Sequence, residues 1–290
     1  MESLTTKQKI FISPITKMIL ALLLFMAVVI IGQQIASKLL ALTSLDKNYR
    51  NLLKGLFVSS SAIFTYIIFF KKYEKRAVIE FSAKGLASNL LIGSLIGFVL
   101  QSLTILVIYL NGSYTIVAQN PVSFILIPFA IMFTVAIIEE IVVRGIIFRI
   151  VEEKLGSYIS LIISAVIFGV LHMANPHSTF LSALCITTAG FLFGVAFIYK
   201  RNLWFPIALH FAWNFTQSGI YGAITSGNEK TKSLFEAKIQ GSEFITGGEF
   251  GPEGSIHATF ICLIATIVLL VLSRKDNKII QPYWKRESAK

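Results

Sequence analysis

Three short stretches of this sequence hold ionisable and amide side chains at helical spacing within otherwise apolar runs: Glu139-Glu140-Ile141-Val142-Val143-Arg144, Phe168-Gly169-Val170-Leu171-His172 and His210-Phe211-Ala212-Trp213-Asn214. Residues four apart share a helix face, so Glu140 lies beneath Arg144 and can pair with it, while Glu139, turned about 100° away, is free to meet another partner. His210 and Asn214 share a face by the same spacing, and Phe168 stacks beside His172. A carboxylate facing an imidazole in a low-dielectric cavity can hold and deprotonate a water, because burial raises the carboxylate pKa towards that of a general base. A second imidazole with a carboxamide on its helix face offers donors to a developing oxyanion. Together these groups describe amide hydrolysis by activated water, with Glu140 and Arg144 fixing the helix and the local charge behind them.

Other chemistries fit less well. The Glu/His/His set is able in principle to bind Zn²⁺ with one open position, but no HExxH spacing is present. No Ser or Cys stands in an elbow motif, and Cys185 has no charged neighbour in sequence, which disfavours a covalent nucleophile. Cys185 and Cys262 both fall in apolar runs, where a thiol acts as a small hydrophobe. His177, in the loop after Asn175-Pro176, and His257, at the start of the last apolar run, are expected to be structural.

The elements that must position these residues are membrane-spanning helices. Of 290 residues, 55% are hydrophobic and only 14% charged, where a soluble domain is nearer a quarter charged. Crossing a hydrocarbon core takes roughly 17 to 25 apolar residues as a helix. About eight such spans are predicted: Met18 to Ser37, Gly55 to Phe70, Gly85 to Leu110, Pro121 to Ile138 with a charged continuation, Gly156 to Met173, Ser178 to Tyr199, Asn202 to Tyr221 and Ser255 to Ser273. The fold class is therefore all-α and polytopic, a single membrane-embedded domain over residues 1–290 with its catalytic helical core at about 121–221. Ionisable groups within such spans cost about 2.5 to 3.5 kcal/mol each on insertion scales, which marks them as functional candidates.

The basic residues, which give a net charge of +11, sit in the gaps between spans. That pattern suits anionic lipid headgroups and gives no nucleic-acid footprint. Lys7, Lys9 and Lys17 precede the first run, which is too long for a signal h-region and reads as an uncleaved helix. Five Lys or Arg residues between Lys71 and Lys84, the Lys200-Arg201 pair and a basic tail from Arg274 argue for a multi-pass protein of the cell membrane with both termini cytoplasmic. The loop holding Lys38, Lys47, Arg50 and Lys54 opposes that orientation. Gly222 to Gly254 is polar and glycine-rich and is expected to be an external loop, either lid or connector. Gly93/Gly97 and Gly190/Gly194 have the GxxxG spacing of close helix packing.

The fourth and fifth spans are expected to form an antiparallel hairpin turning near Leu155-Gly156. Glu139 precedes Gly156 by 17 residues and His172 follows it by 16, so the two meet at one depth, about 25 Å from the turn. His210 lies about 12 Å from the turn at Lys200-Arg201-Asn202, so the depths agree only if the first hairpin projects roughly 12 Å further.

The ordered triplet EExxxR, FxxxH and HxxxN on successive helices resembles the CAAX protease and bacteriocin-processing family of intramembrane endopeptidases, also called the type II CAAX prenyl endopeptidase or self-immunity family. Glu139, Glu140, Arg144, Phe168, His172, His210 and Asn214 all match, and the resemblance covers about residues 121 to 221. It implies that Glu139 and His172 activate the water, that His210 and Asn214 stabilise the oxyanion, and that Glu140 and Arg144 support them. The family has been described both as metalloproteases and as glutamate-dependent proteases; the glutamate reading, with no cofactor required, is favoured here. Substrates vary across the family, so a membrane-associated peptide or protein is expected, without the CAAX label and without an assigned oligomeric state. Two other classes fit the same residues: a non-enzymatic immunity or adaptor protein, and a proton-coupled transporter, which the lack of an internal repeat disfavours.

Overall fold

The computed structural model describes residues 13–286; Lys7 and Lys9 of the basic leader lie outside them. The chain is mostly helical. α1 (Pro14–Ala41) is capped by Ser13 and α2 (Lys47–Tyr73) by Asp46, whose carboxylate accepts from Asn48 N at 2.7 Å. α3 spans Leu86–Leu110. α4 (Leu126–Glu140) runs through a π-helical segment, Ile141–Phe148, into α5 (Arg149–His172). α6 (Phe180–Lys200) starts at a Thr179/Ser182 capping box. α7 (Trp204–Phe215) ends in a second π segment, Thr216–Ile220, and α8 (Ile256–Lys275) is capped by Ser255.

Among the described residues, six helical stretches are long and apolar enough to cross a membrane: Pro14–Ala41, Lys47–Tyr73, Leu86–Leu110, Val122–His172, Phe180–Lys200 and Ile256–Lys275. The expectation of eight differs in two places. The fourth and fifth spans form one 51-residue helical stretch, interrupted by Gly156 with φ 76 and ψ 172. The chain reverses there, because Glu139 and His172, 33 residues apart in sequence, come within 4.0 Å. The seventh span is shorter than expected, 12 residues in α7 before its π continuation of five. Two short strands accompany the helices among the described residues. β1 (Tyr114–Gln119) pairs antiparallel with β2 (Phe235–Ile239), with a bulge between Ile116 and Ala118. The Tyr-Thr-Ile-Val run of β1 carries the β-branched and aromatic residues that suit a pleated surface.

α6 is the most enclosed of these six spans. Its own Phe193 and Phe197 are buried, as are Arg144, Phe148 and Leu209, whereas Leu23 of α1, Leu91 of α3 and Ile264 of α8 are exposed where hydrocarbon would cover them. Both expected GxxxG pairs lie at close crossings. A Cβ on Gly97 would stand 2.2 Å from Leu209 O, and one on Gly190 2.9 Å from Ala165 Cα, so α3 meets α7 and α6 meets α5 backbone to backbone.

The Gly156 end of the bundle is an ion-pair lattice. Lys17 of α1 reaches Glu74 (2.6 Å) and Glu153 (2.8 Å), Arg149 bridges Glu153 (2.6 Å) and Glu74 (3.1 Å), and Arg76 meets Glu74 (2.5 Å) and Glu80 (3.0 Å). Arg201 pairs with Glu152 at 2.5 Å and donates to Ser157 Oγ at 3.2 Å. The tail after α8 straps this turn: Ser157 N donates to Ile280 O at 2.9 Å and Arg286 to Glu152 O at 3.2 Å. Both described ends of the chain therefore reach the same end of the bundle.

Candidate active site

Glu139 and Glu140 end α4 where the backbone passes into the π segment, a rare form that recurs at functional sites. The Glu140–Arg144 ion pair expected from their spacing is present at 2.9 Å, with both side chains fully buried. Arg144 is held on three further sides. It donates to Gly190 O at 2.9 Å, and its guanidinium lies over the rings of Phe168 (4.6 Å) and Phe193 (5.5 Å).

α7 brings His210 against both carboxylates. Its Nδ1 is 3.0 Å from Glu140 Oε1, and its Nε2 is 3.8 Å from Glu139 Oε2 and 3.0 Å from Asn214 Nδ2. A carboxylate only accepts, so Nδ1–H donates to Glu140, and Nε2 then accepts from the Asn214 amide. The imidazole is further fixed by stacking on Phe193, with centroids 4.4 Å apart. His172, the last residue of α5, donates Nδ1–H to Phe168 O at 2.8 Å, which aims its Nε2 at Glu139 Oε2, 4.0 Å away.

The structure thus gathers Glu139, Glu140, Arg144, His172, His210 and Asn214 into one cluster, with Phe168 between the two imidazoles, 4.5 Å from His172 and 5.9 Å from His210. Glu139 is the open member: its side chain is 31% exposed, against 10% for His172 and 3% for His210. Its Oε2 accepts no hydrogen bond from the protein. Two acceptors 4.0 Å apart, Glu139 Oε2 and His172 Nε2, are both within hydrogen-bond reach of a single water.

Towards the Gly156 end the cluster is floored by buried Arg144, Phe148, Phe168 and Phe193. Phe193 and the Gly190 carbonyl were not distinguishable in sequence, since Phe193 is one of 24 phenylalanines and carries no polar signal. Among the described residues, no group of three or more His, Cys, Asp or Glu side chains is arranged to hold a metal ion. His177 lies apart, paired with Glu249 at 2.9 Å at the surface, and His257 contacts Ser255 and Thr104 O on α8 and α3.

Residues 121–216 match the family model "Type II CAAX prenyl endopeptidase Rce1-like", and this segment contains all six clustered residues. A protein of Bacillus subtilis (strain 168) described as "Putative membrane peptidase YdiL" is 36% identical over 78 residues, 27% of this chain and 30% of that protein. The chain therefore spans under a third of the length of this curated relative.

Proposed function

From the Rce1-like match and the cluster it contains, we propose that this chain is a membrane-embedded endopeptidase of the glutamate type, hydrolysing peptide bonds in membrane-associated peptides or proteins. The observation that carries the reading is Glu139 Oε2, a buried carboxylate oxygen without a protein donor that stands 4.0 Å from His172 Nε2 and 3.8 Å from His210 Nε2. Glu139 and His172 share the attacking water. Glu139 takes its proton as the oxygen adds to the scissile carbonyl, and His210 with Asn214 receives the developing oxyanion. His210 Nε2 accepts from Asn214 in the resting arrangement, so it donates to an oxyanion only after gaining a second proton. Glu140 holds the ring through Nδ1, and Arg144 holds Glu140 in place.

The domain comprises residues 1–290 with its catalytic core at about 121–221, in the cell membrane with both termini cytoplasmic. Mechanism requires no cofactor. Glu139→Ala or His172→Ala abolishes cleavage in protein that still inserts and folds, read by comparing membrane peptides from cells carrying active and substituted chains. That comparison also identifies the substrate. Unchanged peptide profiles in both variants would return the chain to the immunity or adaptor class. Activity that survives a strong chelator supports the glutamate mechanism, and loss restored by Zn²⁺ overturns it.

A further inference from the structure

The polar loop read from sequence as lid or connector has a buried carboxylate at its end. Glu253, in the 3-10 turn Pro252–Gly254 ahead of α8, is 4% exposed. Its Oε2 accepts from the side-chain amide of Gln217, and its Oε1 from Ser226 N (2.5 Å) and Ser226 Oγ (3.1 Å). Each partner leads to a different helix of the active-site cluster.

Gln217 is fully buried and lies three residues beyond Asn214, where α7 passes into its terminal π segment. Its amide also donates to Ile224 O at 2.7 Å, and its backbone carbonyl accepts from Ala223 N at 3.0 Å. Ser226 has φ +52, and its carbonyl accepts from Asn175 Nδ2 at 3.0 Å. Asn175 N in turn donates to the carbonyl of His172 at 3.1 Å. The next residue, Gly227, sits so close to Pro176 that a Cβ would stand 1.7 Å from its carbonyl oxygen. One carboxylate therefore links the end of the helix bearing His210 and Asn214 to the turn that terminates the helix bearing His172. Charged groups on the surrounding elements are engaged elsewhere: Lys230 on Ala237 O, Glu243 on Thr179, Glu249 on His177 and His257 on Ser255.

We propose that Glu253 is a positioning residue: by latching Gln217 and Ser226 together it fixes the spacing between His172 on α5 and His210 and Asn214 on α7. The 222–254 segment is then a clamp on two catalytic helices. The consequence for turnover rests on the proposed protease reading; the structural consequence does not.

The test uses the full chain in detergent or nanodiscs. In Glu253→Ala, amide hydrogen exchange accelerates together at residues 172–178 and 214–226, while residues 14–73 are unchanged. On a quenched peptide carrying the junction found with Glu139→Ala, kcat falls about 10-fold to 100-fold with KM little altered, the signature of misplaced groups. Glu253→Gln retains most of the rate, because the free Gln217 Oε1 can turn to accept from the new amide. If Glu253→Ala does not fold, Gln217→Ala is measured with the same readouts. Acceleration confined to 222–254, or a kcat equal to the parent's, overturns the proposal. If no variant and no parent cleaves, the protease reading fails and exchange alone decides the clamp.

Discussion

At the scale of residues, the cluster is organised around a charge that has no route to solvent. Arg144 and Glu140 are fully buried, and an uncompensated charge in such a place is far costlier than the pair. Arg144→Met should therefore destabilise the protein by about 3 to 5 kcal/mol, the cost of breaking a buried pair from one side. Adding Glu140→Gln to it should recover much of that loss, since both charges are then gone. The double variant nevertheless stays inactive, because the carboxylate that holds His210 through Nδ1 is absent. A thermal-denaturation cycle of the two single variants and the double, in one detergent, checks the stability half. Additive losses would mean that the pair is not energetically coupled and that Arg144 acts mainly through Gly190 O and the Phe168 and Phe193 rings.

At the scale of elements, what matters is how closely helices approach. α7 is short, and its position is set by backbone contact with α3 at Gly93 and Gly97. A methyl group at Gly97 would meet Leu209 O at 2.2 Å and Trp213 N at 2.9 Å, on either side of His210. Neither atom can move without α7 moving. Gly97→Ala is therefore expected to lower the cleavage rate by an order of magnitude or more, since about 1 Å of misplacement can cost 100-fold, although Gly97 touches none of the cluster. Gly112→Ala is a poor control, because its φ is +78; Ala87→Gly on the first turn of α3 serves better. A rate for Gly97→Ala equal to that control would show that α7 is positioned from elsewhere. The same elements show why part of the site was legible in sequence. Spacing of four within one helix fixes Glu140 with Arg144 and His210 with Asn214, and equal counts on either side of Gly156 bring Glu139 level with His172. Contacts between helices have no such arithmetic. Phe193 under His210, the Gly190 carbonyl on Arg144 and the Glu253 link depend on how α6, α7 and the 222–254 segment pack, which periodicity along one helix does not encode. The π segments were hidden for a related reason, since a run such as Ile141-Val142-Val143 reads the same in an α or a π turn.

At the scale of the whole molecule, two carboxylates at opposite ends of the bundle, half-buried Glu74 and buried Glu253, set opposite pH dependences. Burial pushes Glu74 up, but Lys17, Arg149 and Arg76 outweigh it and hold its pKa below the ordinary 4.5. A group with a lowered folded pKa contributes stability that is present above its unfolded value and lost as pH falls through the folded one, so the lattice at the Gly156 end loosens in acid. Glu253 is the reverse case. Burial, against hydrogen bonds from Gln217 and Ser226, raises its pKa from 4.5 to about 7. The native state then binds a proton that the unfolded chain has released, and stability declines as pH rises from about 4.5 to about 7, by on the order of 3 kcal/mol from this group alone. Melting temperature should accordingly peak near pH 5 and fall on both sides. Glu74→Gln should flatten the acid limb and leave the other, while Glu253→Gln should flatten the decline towards neutrality and leave the acid limb. Parallel curves for the parent and Glu253→Gln between pH 4.5 and 8 would show that Glu253 has an ordinary carboxylate pKa in the folded protein, and so that water reaches it through the clamp.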